Sequence, residues 1–145
     1  ALACDIRIAS ETSRFAMNQV NQSQIPWDGG TQRLPRLIHK GIALELILTG
    51  RQLDARDALR TGLINVAVPD HDLEEEGLVM AKGIASTAPI AASYAKETIT
   101  KGLDMTLAQG IRLEADLAIL LHSSKDRAEG IQAFLGKRKA SFKGE

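Results

Sequence analysis

Cysteine, aromatic residues and net charge are all scarce in this sequence. The single cysteine, Cys4, cannot form an internal disulfide and offers no thiolate cluster for a metal. Eighteen basic side chains balance eighteen acidic ones, so no overall field favours nucleic acid or an anionic membrane. No apolar run approaches the roughly 20 residues of a membrane span. These absences predict a cytoplasmic protein with no metal site and with neither nucleic acid nor membrane as a partner.

The residues that are present are typical of a globular domain with an apolar core. Apolar residues make up 44% of the chain and charged residues 25%. Strands are predicted at Cys4–Ile8, at Arg14–Met17 and in "LINVAVP". Helices are predicted after Gly29-Gly30, over "IALELILTG" up to Gly50, and after Asp54 as an N-cap. This alternation over residues 1–69 predicts a layered α/β core.

The second half of the chain, residues 70–145, is predicted to be helical. Pro89 suits the first turn of one helix, and Thr106 with Gln109 suits a capping box at the start of the next. Ser123 and Asp126 are expected to open the last helix. The segment 113–121 is apolar on more than one side, which is typical of a helix wedged between neighbouring helices or subunits.

The polar loop "QVNQSQIPWDGG" at residues 19–30 contains the first candidate site. Asp28 stands beside Trp27, and a carboxylate next to an apolar ring suits proton transfer in a closed site. The alternative is that Asp28 caps the helix that follows. Gly29-Gly30 could bind an anion at that helix N-terminus, but no Lys-Ser/Thr pair follows them, so they do not form a P-loop.

The carboxyl-terminal segment "FLGKRKASFKGE" is basic and contains the second candidate site. Its cations could seat a phosphate, and its two phenylalanines could stack on a base: Lys137, Arg138, Lys139 and Lys143 with Phe134 and Phe142. The alternative is a solvated terminus without a ligand. The three histidines, by contrast, have no second metal ligand at helical spacing, so we expect structural roles for His39, His71 and His122.

Several long stretches of the sequence resemble a known family. "ALACDIRIAS", "IPWDGGTQRLPRLI" and "ALELILTGRQLDARDALRTGLINVAVP" strongly resemble the second half of the enoyl-CoA hydratase/isomerase (crotonase) family. The resemblance continues through "APIAASYAKETI" to "KDRAEGIQAFLGKRKASF" and covers the whole chain. It implies that this chain is the carboxyl-terminal half of such a protein, and we expect further sequence before Ala1.

The resemblance implies a fold and a class of substrate. The fold is α/β, a partial crotonase-type β-β-α spiral followed by a helical region that builds trimers, often paired into hexamers. Residues 1–69 would belong to the spiral core, and residues 70–145 would supply subunit contacts and cover coenzyme A (CoA). Family members act on acyl-CoA thioesters and hold the thioester oxygen with two backbone N–H groups, an oxyanion hole. No cofactor is expected beyond the CoA carried by the substrate.

The loop departs from the hydratase pattern at one catalytic position. Hydratases of this family use two glutamates; the first, like the oxyanion donors, would lie upstream of Ala1, and the second falls at Gln19. Glutamine has no titratable proton near neutral pH, so it cannot act as a general acid or base. In the dienoyl isomerases and the ring-forming cyclases of the family an aspartate from this loop acts on the substrate, and Trp27-Asp28-Gly29-Gly30 resembles the cyclase pattern. We therefore predict that Asp28 transfers a proton and that Gln19 orients a water or carbonyl.

The remaining site residues also follow from the resemblance. Ile25, Pro26 and Trp27 are predicted to bind the acyl-CoA substrate, and Phe134 and Lys137 match positions that contact CoA, often from a neighbouring subunit. The predicted activity is hydration of an unsaturated acyl-CoA, with a cyclic acyl group among the candidates. The alternatives are an enoyl-CoA isomerase or a ring hydrolase or cyclase, and, in another class, a non-catalytic assembly module that lacks the oxyanion hole.

Overall fold

The first half of the chain alternates short strands with helices, as predicted. The structure is a computed structural model, and it describes residues 1–145. The strands are β1 (Ile8–Ser10), β2 (Arg14–Ala16), β3 (Gln52–Asp54) and β4 (Val66–Val68). The helices of this half are α1 (Gly30–Leu37), α2 (Lys40–Thr49) and α3 (Ala55–Arg60), with 3-10 turns at Gln19–Gln22 and Asp70–Asp72. The helices that follow are α4 (Leu73–Ala85), α5 (Pro89–Gly102), α6 (Leu107–Leu121) and α7 (Lys125–Leu135).

The four strands form two separate pairs. β1 runs parallel to β4, with Ile8 opposite Val66, and β2 runs antiparallel to β3, with Phe15 opposite Leu53. The sequence did not indicate β3, because "QLD" contains a single apolar residue; Leu53 is nevertheless fully buried. β3 therefore forms because Leu53 enters the core, where tertiary packing overrides a weak local preference.

The strand predicted at Cys4–Ile8 is wrong for most of its length, since β1 begins at Ile8. Arg7 has a local role: its guanidinium donates hydrogen bonds to the backbone oxygens of Cys4 and Leu63. Its backbone N–H donates to the Asn65 side chain at 2.9 Å. These bonds satisfy polar groups through a bend, so the alternating pattern here does not produce a ladder.

The core of the first half is a single cluster of small and branched apolar side chains from β1, β3, the three helices and the residues that follow α1 and α3: Ala9, Leu34, Ile38, Ala43, Leu46, Leu53, Ala58, Leu63 and Ile64. Two predicted helix ends are confirmed around it. Asp54 accepts a hydrogen bond from the Asp57 N–H at 2.8 Å and caps α3, and Gly50 ends α2 with a φ of 63°. The core therefore holds the two segments that flank the polar loop.

The helices of the second half begin largely as predicted. Pro89 lies in the first turn of α5, and Thr106 and Gln109 form the capping box of α6 in both directions. Ser124, and not Ser123, caps α7 by accepting a hydrogen bond from the Arg127 N–H at 3.2 Å. No helix of the chain is both long and apolar enough to cross a membrane.

The chain divides into two compact units, residues 1–78 and 79–145, so the boundary lies inside α4. The sequence placed a division at residue 69. The turn Asp70–Asp72 belongs with the first unit because the Thr12 hydroxyl donates to the Asp70 carboxylate at 2.9 Å. This bond ties the turn to the chain just after β1. The roles predicted for residues 1–69 and 70–145 stay predictions.

Candidate functional site

The polar loop, residues 19–29, is supported at its start by the end of α2. Gln19–Gln22 forms one 3-10 turn, and Ser23 closes it in the left-handed region with a φ of 56°. Asn21 lies so close to Gly50 that a Cβ at that glycine would stand 2.7 Å from the Asn21 side-chain nitrogen. Glycine is therefore needed at position 50 both for its positive φ and for this close approach.

The loop is supported at its other end by Pro26. This residue is buried, and a Cβ at Gly30 would stand 2.9 Å from the Pro26 Cβ and 3.5 Å from the Met17 sulfur. Gly30 thus lets α1 begin directly against the proline. Of the three apolar residues predicted to bind the substrate, Pro26 packs the loop, whereas Ile25 and Trp27 are 73% and 68% exposed.

Asp28 lies between these exposed apolar side chains and the helix, with a φ of 55°. The N-cap of α1 is Gly29, and no side chain caps the helix, so the alternative interpretation of Asp28 as a cap is wrong. The exposed carboxylate makes no hydrogen bond or ion pair within the protein. A non-glycine residue with positive φ is uncommon, and such conformations concentrate at functional sites. Asp28 is therefore free to act on a ligand.

Gln19, at the opposite end of the loop, is partly buried. Its side-chain carbonyl oxygen is inaccessible to solvent and has no hydrogen-bond partner in the protein. A buried acceptor without a donor costs about 1–3 kcal/mol, so the position favours a donor from outside the chain. An amide carbonyl can accept a hydrogen bond from a water or a substrate, which is the orienting role predicted for Gln19.

The second candidate site is the end of α7, where Lys137 adopts an unusual conformation. The helix closes in a Schellman motif, in which the Arg138 N–H donates to Ala133 O at 3.0 Å and the Lys137 N–H to Phe134 O at 3.2 Å. The left-handed residue of this motif is commonly glycine, but here it is Lys137, with a φ of 49°. Its ammonium group is exposed, and the Phe134 ring is 83% exposed.

Residues 137–145, the tail, fold back along α7 and are held by two acidic side chains. Glu129 receives both terminal nitrogens of Arg138, at 2.6 and 2.8 Å, and the Ser141 N–H at 2.9 Å. Asp126 is 4% exposed and accepts the N–H groups of Lys143 and Gly144, each at 2.7 Å. The sequence predicted Asp126 only at the start of the helix. It did not indicate that Glu129 or Asp126 contacts the tail.

Acid is expected to release the part of the tail held by Glu129. Hydrogen bonds from Arg138 and then from the Ser141 amide lower the pKa of Glu129 from 4.5 to about 2. Because the folded-state pKa is lowered, the carboxylate contributes its full stabilisation above pH 4.5 and loses it as the pH falls towards about 2. The protection factor of the Ser141 amide, measured by hydrogen exchange, should fall over this window. In Glu129→Gln, whose amide does not titrate, the protection should not change over this window. A fall of the same size in that variant would contradict the assignment.

An apolar cavity of about 600 Å³ lies within the second unit, beside α7. Residues of α5, α6, α7 and the tail line it, among them Ile90, Leu121, Phe134 and Phe142. Phe142 also lies against Gly130, where a Cβ would stand 3.6 Å from its ring. The tail therefore forms one wall of this cavity, next to the exposed end of α7.

Comparison with known proteins gives this geometry its context. The profile of the enoyl-CoA hydratase/isomerase family matches residues 1–145. The chain belongs to this family. It is 46% identical to a protein of Rhizobium meliloti (strain 1021) named "Probable enoyl-CoA hydratase", across 99% of this chain and 56% of that protein. It is 43% identical to the mitochondrial enoyl-CoA hydratase of Pongo abelii, across 99% of this chain and 49% of that protein.

The fold agrees with this family membership. The crystal structure of enoyl-CoA hydratase from Bacillus anthracis superposes with a TM-score of 0.97 at 46% identity, covering 99% of this chain and 56% of that one. A partial crotonase-type α/β fold is therefore confirmed for this chain, whereas the trimer-building role of its helical region stays a prediction. The chain spans about half the length of the curated relatives it matches. As a member of the enoyl-CoA hydratase/isomerase family, it presents Gln19 and Asp28 in its first unit, and Phe134 and Lys137 in its second.

Proposed function

We propose that the full-length protein hydrates the double bond of an unsaturated acyl-CoA thioester. The observation that carries the proposal is the Asp28 carboxylate, which is exposed, unpaired and flanked by the exposed side chains of Ile25 and Trp27. Family membership supports the reaction class, because the relatives above are named as enoyl-CoA hydratases. The chain covers 56% and 49% of the length of these two relatives. We propose that it is the carboxyl-terminal half of the full-length protein and that this protein is cytoplasmic.

In the proposed reaction, water adds across the double bond conjugated to the thioester. The water oxygen bonds to the β carbon, one proton leaves the water, and a proton is delivered to the α carbon. Asp28 acts as the group that accepts or delivers a proton, and the Gln19 carbonyl orients the water. The donors that hold the thioester oxygen belong, by the family resemblance, to sequence outside residues 1–145.

The end of α7 is proposed to bind the CoA portion of the substrate. The Lys137 ammonium is exposed and makes no ion pair within the chain, so it is available for a phosphate. Phe134 offers an exposed ring as apolar cover for adenine. Arg138 already pairs with Glu129 and is not available in this way.

Gln19 favours a second candidate within the family. A site with glutamine at the second glutamate position and aspartate further along the loop is similar to the isomerases and ring cyclases of the family. The substrate of this second candidate would be an acyl-CoA with a cyclic acyl group. A non-catalytic assembly module is the candidate from another class.

The reaction products of the full-length protein separate these candidates. With a panel of linear and cyclic 2-enoyl-CoA thioesters, hydration should give products heavier by one water with loss of the conjugated double bond. Isomerisation would move the double bond without a change in mass, and a ring hydrolase would open only the cyclic substrates. The matched saturated acyl-CoA serves as the control and should remain unchanged. CoA binding without turnover of any thioester would support the assembly module and contradict the enzyme.

The full-length protein is also proposed to form trimers or hexamers. α6 buries none of its residues within this chain, and Leu107, Ile111, Ile119 and Leu120 are all exposed on it. Apolar side chains on several sides of one helix favour contacts with other subunits. Light scattering should give a mass of three or six subunits, and a stable monomer at micromolar concentration would contradict this.

A further inference from the structure

A charged pair joins the tail to α7, and none of the proposed contacts with CoA uses it. Glu129 lies in the middle of α7, and Arg138 directly follows Lys137 in the chain. Their pairing is bidentate, with both carboxylate oxygens and both terminal guanidinium nitrogens engaged at 2.6 and 2.8 Å. Arg138 Nη1 also donates to Lys139 O at 3.3 Å. Such fork-to-fork pairs fix orientation as well as distance.

The same carboxylate fixes the tail on the far side of Arg138. Glu129 accepts the Ser141 N–H at 2.9 Å, and the Arg138 backbone N–H donates to Ala133 O at 3.0 Å. Arg138 is therefore held by its main chain and its side chain, and the segment up to Ser141 follows the helix. The backbone of Lys137, between Gly136 and Arg138, is restrained by these bonds.

This restraint accounts for the conformation of Lys137. A lysine gains nothing by itself from a φ of 49°, because its Cβ is crowded in the left-handed region. A disfavoured conformation of this kind persists only where the surrounding structure determines it. The bonds that Glu129 accepts from Arg138 and Ser141, together with the backbone bonds of the Schellman motif, supply that determination. They set the direction in which the Lys137 side chain leaves the helix end.

We propose that Glu129 and Arg138 are positioning residues for CoA, which hold Lys137 in the conformation that meets a CoA phosphate. The proposal rests on the proposed role of Lys137 in CoA binding. Arg138 does not itself bind the phosphate, because its two terminal nitrogens are committed to Glu129. The pair stays charged at neutral pH, since the pKa of Glu129 is lowered to about 2 and that of Arg138 is raised.

A double-mutant cycle on the full-length protein tests this, with CoA affinity measured by calorimetry. The variants are Glu129→Gln, Lys137→Ala and the two combined, and Lys82→Ala on the exposed face of α4 is the control for loss of a cation. We expect Glu129→Gln to raise the dissociation constant of CoA about threefold to tenfold, the size of a coupling within one network. In the Lys137→Ala background the same change should have no effect, since a positioning residue acts only through the group it positions.

The other outcomes distinguish the proposed contact of Lys137 with CoA from the positioning role of Glu129 and Arg138. If Lys137→Ala binds CoA as the parent does, the proposed CoA contact fails. If Lys137→Ala weakens binding but Glu129→Gln does not, the contact stands and the positioning role is overturned. Equal loss from Glu129→Gln in both backgrounds would also overturn it, because the effect would then not pass through Lys137.

A second variant separates a direct effect on CoA affinity from an effect of unfolding. Arg138→Lys keeps the charge but cannot form the bidentate pair, so the tail retains one ionic contact with Glu129. We expect it to raise the dissociation constant of CoA less than Glu129→Gln does, with an unchanged unfolding midpoint. Full CoA affinity in Arg138→Lys together with full affinity in Glu129→Gln would exclude a positioning role for the pair.

Discussion

Asp28→Asn is expected to lower the turnover of the full-length enzyme by about a hundredfold or more, the usual cost of losing a general acid–base. The substitution keeps the shape and the hydrogen-bonding capacity of the side chain but removes its titratable proton. Asparagine tolerates the left-handed backbone conformation that Asp28 adopts. Because Asp28 does not cap α1, no cap is lost either. Turnover should therefore fall while the thermal unfolding midpoint stays within experimental error.

The assay is turnover on the substrate that gives the highest activity in the enoyl-CoA panel. Asp72→Asn removes a partly exposed carboxylate at the end of the Asp70–Asp72 turn; it is the control and should keep parental activity. Gln19→Glu probes the other end of the loop, since it restores the carboxylate of the hydratase branch. We expect it to add or increase activity on a short linear substrate such as crotonyl-CoA. Parental turnover in Asp28→Asn would remove Asp28 from the chemistry.

Lys137→Ala is expected to weaken CoA binding by about 1–2 kcal/mol, the range of a charge-assisted hydrogen bond. Lys137→Gly should weaken it equally, because both variants lose the same ammonium group. The two variants should differ in stability, since glycine adopts the left-handed conformation without the crowding of a Cβ. We expect Lys137→Gly to be more stable than Lys137→Ala by about 1 kcal/mol.

Calorimetric titration with CoA and denaturant unfolding of the two variants measure these effects separately. Lys82→Ala again controls for a general loss of positive charge, and its CoA affinity should match the parent. If Lys137 adopts its strained conformation because CoA binding requires the ammonium group, the two variants should bind CoA equally weakly but differ in stability. If both variants bound CoA like the parent, the basic tail would be a solvated terminus, the alternative that its charge alone allowed.

Local signals in the sequence were sufficient wherever a short segment determines its own structure. Gly50 at the end of α2, Asp54 before α3, Pro89 in α5 and the Thr106–Gln109 box are confirmed. Each of these signals depends on one or two residues that satisfy backbone groups a few positions away. The family was visible for a related reason, since the long run from "IPWDGG" to "LINVAVP" is specific in itself.

Contacts between distant residues could not be predicted in this way. β3 exists because Leu53 is buried opposite Phe15, nearly forty positions away, and its own three residues carry no strand pattern. His39 caps α2 by accepting the Gly41 N–H at 3.2 Å, a role that agrees with its structural assignment but that histidine rarely signals. The start of β1 was misplaced because Arg7 bonds to groups on the chain after α3.

The same distinction between local signals and long-range contacts applies to the candidate site. The sequence by itself determined which residue types are available: a glutamine at position 19, an aspartate at position 28, and a phenylalanine and a lysine near the carboxyl terminus. Only the tertiary structure decided that Pro26 is buried against Gly30, that Gly29 caps α1 and leaves Asp28 free, and that Glu129 holds the tail. These outcomes depend on long-range packing and on hydrogen bonds across 9 to 12 residues of a returning tail. The energy of such contacts is set by the folded chain and leaves no periodic pattern in the sequence.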